Sequence, residues 1–341
     1  MINHEAPLDE RKERILREIV EAYVQMGEPV GSKAIAAGRD LDVSSATVRN
    51  EMAILEREGY IAQPHPSAGR IPTDKGYRYY VDRLAPAVDA DPQERREIER
   101  SMAGALSALD DLLMRASHLL SDLTNYTSLA SAPPVSEARL RHVELVPLGH
   151  RRIFLVIVGD GAWHAERVLE LAQEPAEDTL RRSGEVANRL AHGLGLTEAA
   201  AALDKAEGLD RETSRVLKAT ALALRTVASD RGGRVFTGGT SRLVVWEPAP
   251  TARRVLEMLE EGEMEPLLPE PAPEGVSVRI GRELAFEDYH DLSLIAAGYR
   301  FGRQAGTLGV LGPTRMHYPS VMCTVAEVAR SLSRALSRLE Q

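Results

Sequence analysis

The stretch SSATVRNEMAILEREGYIAQPHPSAGRIPTDKGYRYY, residues 44–80, decides how the chain is read. Ser44 is a favourable N-cap, because a serine hydroxyl accepts from a backbone N–H that the first helical turn leaves open. From there to Arg57, Val48, Met52 and Leu55 recur at helical spacing, and Gly59 supplies a stop. Tyr60 to Gln63 then read as a strand and Arg70 to Pro72 as its partner. The residues between them, PHPSAG, suit a hairpin tip and neither strand. Thr73 or Asp74 caps a further amphipathic helix, DKGYRYYVDRL.

Working upstream, residues 9–27 repeat apolar positions at helical spacing between a capping Asp9 and a terminating Gly27. A short helix starts at Ser32, and a tight turn leads back to Ser44. Three helices followed by a hairpin predict a winged helix-turn-helix over residues 1–84. With Val48, Met52 and Leu55 facing its core, the first turns of the third helix present Ser44, Ser45, Thr47, Arg49 and Asn50. In a major groove, Arg forks onto guanine and Asn onto adenine, while Ser and Thr reach bases or phosphates. The hairpin contributes His65, Ser67, Gly69 and Arg70, and the next helix Lys75 and Arg78, as candidate contacts to the phosphate backbone. Alternative uses of these elements are a solvated helix face and a hairpin that contacts protein.

Downstream, LAPAVDADP at 84–92 reads as a linker. Residues 93–124 follow as one long helix whose apolar positions, Ile98, Met102, Ala105, Leu109, Leu112, Ala116, Leu119 and Leu123, step by four and three. Such a seam serves either a paired helix in a dimer or a helix lying across its own domain. Strand-like runs fill 139–170, helical Ala/Leu/Arg-rich sequence 175–229, and strands return at RVFTGGTSRLVVWEP and from 275 onward. The expected architecture is α+β and multidomain. An α/β domain over 85–172 and 275–341 carries a helix-rich insertion at 173–274.

The net charge of −9 and pI near 5.6 argue against a protein coated in nucleic acid. Patches matter more than sums, however, and residues 44–83 hold 6 Lys/Arg against 5 Asp/Glu. No apolar run reaches the roughly 18–20 residues of a membrane span. The single cysteine, Cys323, fits a reducing cytoplasm and reads as an inert core thiol. Phosphate-loop, zinc-protease, redox-dithiol and serine-elbow motifs are absent, so the chain reads as no enzyme and calls for no cofactor or metal. The glycine-rich run Gly306 to Gly312 reads as tight turns.

Four blocks, EPVGSKAIA, SSATVRNEMAILEREGYI, QPHPSAGRIPTDKGYRYYVD and GVLGPTRMHYPSVM, closely resemble the heat-inducible transcription repressor family, HrcA. The resemblance runs from the first helix to the last. It implies a winged helix, a GAF-like domain and a dimerising domain inserted into it. It also implies a homodimer that binds double-stranded DNA at an inverted-repeat operator, CIRCE, and represses heat-shock chaperone operons. The chaperonin GroEL would keep such a repressor active. Two other classes remain: a regulator sensing a small molecule through its GAF-like domain, and a winged helix that binds protein.

Overall fold

In a computed structural model of the protein, residues 7–37, 43–103, 109–133, 139–160, 163–229, 234–243, 253, 255–258, 268, 275–284, 290–302 and 304–339 are described. The chain opens with α1 (Glu10–Met26), α2 (Ser32–Ala36) and α3 (Ser45–Arg57). The two-stranded wing of β1 (Ile61–Ala62) and β2 (Ile71–Pro72) follows, then α4 (Asp74–Tyr79), which continues into a wider turn to Leu84. The caps read from sequence are in place. Asp9 accepts from Lys12 N, Ser44 from Thr47 N and Thr73 from Gly76 N, while Gly27 ends α1 in the left-handed conformation.

The heptad seam does not lie on one helix. α5 (Pro92–Met102) is capped at Ala103, and α6 (Leu109–Thr124) packs back against it. Arg115 Nη1 donates to the Ser101 carbonyl at 3.0 Å, whereas one straight helix would hold these residues about 21 Å apart along its axis. Ile98, Met102, Leu109, Leu112 and Ala116 are buried in the chain's own core, so these positions are filled from within the subunit. Ala105 lies outside the described residues.

β3 (Thr127–Ser131), β7 (Val235–Gly238), β8 (Val276–Ile280), β9 (Leu292–Phe301) and β10 (Gln304–Pro313) form one sheet in the order β7-β3-β10-β9-β8. Every pairing in it is antiparallel, so this domain is α+β in detail and not a parallel α/β unit. α6 and the C-terminal α10 (Tyr318–Leu339) pack on one another and against this sheet. Glycines 306–312 lie within β10, not in turns. A Cβ on Gly309 would stand 2.6 Å from the Ile295 carbonyl oxygen, so the close approach of strands requires glycine there.

The insertion begins earlier than the sequence suggests. β4 (Leu140–Gly149), β5 (Arg152–Gly159) and β6 (His164–Glu170) make a separate antiparallel sheet, followed by α7 (Glu177–Ala191), α8 (Leu196–Asp204) and α9 (Arg211–Ser229). These elements share their own core, from Leu140 through Leu155 and Ala199 to Val227. They connect β3 to β7, which pair with each other. The inserted unit is therefore residues 140–229, and the strands over 139–172 belong to it. Its helices supply the apolar face that a three-stranded sheet cannot bury alone.

The winged helix is not a separate bead. Its buried residues Ile15, Val48, Leu55 and Tyr77 belong to the same core cluster as Tyr318 and Val325 of α10. The rings of Tyr77 and Tyr318 lie 5.8 Å apart. Arg78 of α4 pairs with Glu283, and Arg282 N donates to Asp74 at 3.1 Å. Cys323, read as a core thiol, is half-exposed on α10; burial still raises its pKa and keeps it protonated.

Candidate nucleic-acid interface

α3 is held by its buried face. Val48, Met52 and Leu55 pack into the core, and the helix touches α1 and α2. Ser44 leaves the preceding turn in an extended conformation, with ψ of 153°. Its Oγ accepts from Thr47 N at 3.2 Å and lies 3.0 Å from Thr47 Oγ1. The first turn is thereby fixed, and its N-terminal dipole faces outward.

The side of α3 away from the core carries Ala46, Arg49, Asn50, Ala53 and Arg57, all exposed. Ser45 is exposed at one flank and Thr47 half-buried at the other. Five of the sequence candidates, Ser44, Ser45, Thr47, Arg49 and Asn50, thus share one end of one helix. Arg57 and the two alanines were missed, although a helical wheel drawn from Val48, Met52 and Leu55 places them on that stripe. Lys33, exposed on α2, was missed as well, since a five-residue helix shows too little periodicity to assign a face.

Electrostatics favour an anion on this stripe. Two carboxylates of α3 itself are already engaged: Glu56 accepts from Arg70 Nε and Nη2 at 3.0 and 2.9 Å. Glu51 faces Arg11 at 3.6 Å and Lys12 at 3.9 Å. Arg49 and Arg57 have no ion pair among the described residues. A near-neutral domain therefore exposes net positive charge along one helix.

The wing differs from its sequence reading. Arg70 does not project from the tip. Its backbone pairs with Val30 in both directions at 2.8 Å, and its guanidinium is committed to Glu56, leaving the side chain 21% exposed. Gly69 is small for the same reason, since a Cβ there would meet the Val30 carbonyl at 2.5 Å. The packing of the wing against the segment before α2 therefore requires a residue without a Cβ here. What the tip does present is His65 and Ser67, both exposed, in a loop pinned by Gln63 Nε2 donating to the carbonyls of Pro66 and Ala68.

Lys75 and Arg78 are likewise turned inward. Lys75 Nζ donates to the Glu58 carbonyl at 2.9 Å and sits 4.3 Å from the Tyr60 ring centroid, closing the C-terminal end of α3. Arg78, 29% exposed, binds Glu283, Asp82 and the Val278 carbonyl. Both were expected on the phosphate backbone, but Arg78 faces β8 and the 281–283 turn, and Lys75 faces the end of α3.

Comparison with known proteins agrees with this geometry. Residues 7–82 match the family model "Winged helix-turn-helix transcription repressor, HrcA DNA-binding", and residues 110–322 match "HrcA protein C terminal domain". The chain is 40% identical over 342 residues to the heat-inducible transcription repressor HrcA of Thermobifida fusca, covering 99% of both proteins. It is 42% identical over 334 residues to that of an Arthrobacter species, covering 96% of this chain and 98% of the relative. A crystal structure described only as a hypothetical protein at 2.2 Å resolution shares the fold, with a TM-score of 0.64 and 23% identity over 98% of this chain and all of that one. With a DNA-binding winged helix at one end and family-wide similarity along nearly its whole length, the chain belongs to the HrcA family of heat-inducible transcription repressors.

Proposed function

We propose that the chain represses transcription as a homodimer that lays two copies of α3 in successive major grooves of an inverted-repeat operator of the CIRCE type. The observation that carries this reading is the exposed stripe of α3, where Arg49 and Asn50 stand on a capped, core-anchored helix beside neutralised carboxylates. Ser44, Ser45 and Thr47 serve the nearest phosphates, and His65 and Ser67 of the wing follow the backbone beside them. Arg70, Gly69, Lys75 and Arg78 act one step back by fixing the wing and the domain. A single winged helix makes few phosphate contacts, so pairing two of them on one duplex supplies the affinity through effective concentration.

A surface suited to that pairing lies on the insertion. The outer face of the β4-β5-β6 sheet sets Val146, Phe154 and Val168 in one cross-strand row. Val146 is 41%, Leu148 47% and Val168 55% exposed. A strip of aliphatic side chains left in water is a favourable dimer contact. The five-stranded sheet with α6 and α10 packed against it fits the GAF-like body that the family resemblance implies. Regulation by GroEL follows if the folded dimer is the limiting species, since occupancy then tracks whatever refolds it.

The test is fluorescence anisotropy with three duplexes: the inverted repeat, a single half-site and a scrambled sequence. Affinity should fall in that order. Val168→Lys should shift the chain toward monomer in sedimentation and bring repeat affinity down to the half-site level. Equal affinity for repeat and scrambled duplexes would refute sequence-specific repression.

A further inference from the structure

The acidic balance of the chain reverses on one face of its body, remote in sequence from α3. On α10, Arg330, Arg334 and Arg338 recur every four residues and therefore share a side. α5 runs beside α10 in the same direction. Thr324 Oγ1 donates to Glu94 at 2.6 Å, Arg95 approaches Glu327 at 3.6 Å, and Arg334 approaches Glu99 at 3.2 Å. Between these helices and the end of β9 lies a hollow of 760 Å³. It is lined by Arg95, Arg300, Arg330 and Arg334 together with Glu99 and Glu327. Its floor is made of small residues, among them Ala297, Gly298 and Ala329, which leave the space unfilled. A smaller hollow of 420 Å³ shares the Arg334–Glu99 pair and adds Arg96, Arg100 and Arg338.

The charges do not cancel. Glu327, whose side chain is 4% exposed, is the common partner of Arg95, of Arg330 at 2.7 Å and of Arg334 at 3.8 Å. One buried carboxylate therefore organises three guanidiniums while neutralising one charge. Glu99 offsets a second, and Arg300 has no ion pair among the described residues. The larger hollow keeps a net charge of +2 from four arginines and two glutamates, on a chain whose total is −9. Clustered like charges repel, and an added anion relieves that repulsion as well as forming its own bonds.

We infer that this hollow binds a small polyanion, a molecule carrying two or more phosphate or carboxylate groups. Planar guanidinium forks match both oxyanions, and several arginines converging from two helices and a strand suit a ligand with more than one anionic group. The volume falls within the range of small-molecule sites. Glu327 is the positioning residue, because it orients Arg95, Arg330 and Arg334 from beneath.

Calorimetry and thermal unfolding of the full-length, DNA-free chain test the assignment, with inorganic pyrophosphate and citrate as probes and sodium chloride at matched ionic strength as control. One saturable site per chain and a raised Tm at about 1 mM probe are expected for at least one of the two. The stronger probe distinguishes phosphate from carboxylate. Arg300→Ala, which breaks no ion pair among the described residues, should weaken binding by about tenfold or more. Arg330→Ala should do the same, and Arg49→Ala should leave binding unchanged. The inference fails if neither probe exceeds the salt control, or if Arg300→Ala, with unaltered circular dichroism, binds as well as wild type. It also fails if Arg49→Ala abolishes binding, which would place the anion on the recognition helix.

Discussion

Arg49 and Arg70 are both arginines near the same helix, yet their surroundings assign them different work. Arg49 stands exposed, so its removal should leave folding nearly unchanged and act on DNA. Arg70 is bound twice to Glu56 with most of its surface covered. A double-mutant cycle of Arg70→Ala and Glu56→Ala in urea unfolding should give a coupling of about 0.5–1 kcal/mol, a modest value because both groups keep some solvent. A coupling near zero would return Arg70 to the candidates for direct DNA contact. Ser44 is the other residue with a defined local role. Ser44→Ala removes the acceptor for Thr47 N and should lower the unfolding free energy by about 1 kcal/mol, read from the urea midpoint at unchanged slope.

Among the elements, the wing shows most directly how packing dictates a small residue. Gly69→Ala forces a Cβ against the Val30 carbonyl, where backbone cannot give way. It should destabilise the winged helix by about 1–3 kcal/mol, measured by thermal unfolding, before any DNA is present. The helices and their caps were legible because Ser44, Thr73, Asp9 and Gly27 act on neighbours within four residues. The partners of Arg70, Lys75 and Arg78 were not, because Glu56, the Glu58 carbonyl and Glu283 are 14, 17 and 205 residues away. The long helix over 93–124 failed for a related reason. A heptad pattern continues unchanged across two helices that bury the same face in one core, so periodicity alone does not reveal that α5 and α6 pack against each other. The insertion boundary was misplaced because β4, β5 and β6 alternate like any strands, and only their pairing shows which sheet they join.

Across the whole molecule, the winged helix and the body share one core, and the shared contact is rich in tyrosine. Tyr77, Tyr80 and Tyr318 lie there, and Tyr299 lies within the body sheet. Burial is the chief cause that raises the pKa of each. An unfolded tyrosine ionises near pH 10, so above about pH 10 the unfolded chain holds fewer protons than the folded one. The stability these groups contribute is fully present below that pH. It is lost above it with a slope of up to about 1.4 kcal/mol per pH unit for each. Tm should therefore fall steeply above pH 10. In an ultraviolet titration of the nine tyrosines, these four should ionise only as the protein unfolds. Nine tyrosines titrating together with the fold intact would contradict the packing described for them.

In the proposed complex α3 reads the operator while Arg78 of α4 holds the domain in place. The decisive measurement is the salt dependence of affinity for the inverted repeat and for scrambled DNA, taken side by side for wild type, Arg49→Ala and Arg78→Ala where all three are folded. Arg49→Ala should lose about 1–3 kcal/mol of preference for the repeat per half-site. Arg78→Ala should keep both the preference and the salt slope of wild type. Retained preference in Arg49→Ala, or a salt slope on the repeat reduced by about two in Arg78→Ala, one per half-site, would place the DNA on α4 and contradict this assignment.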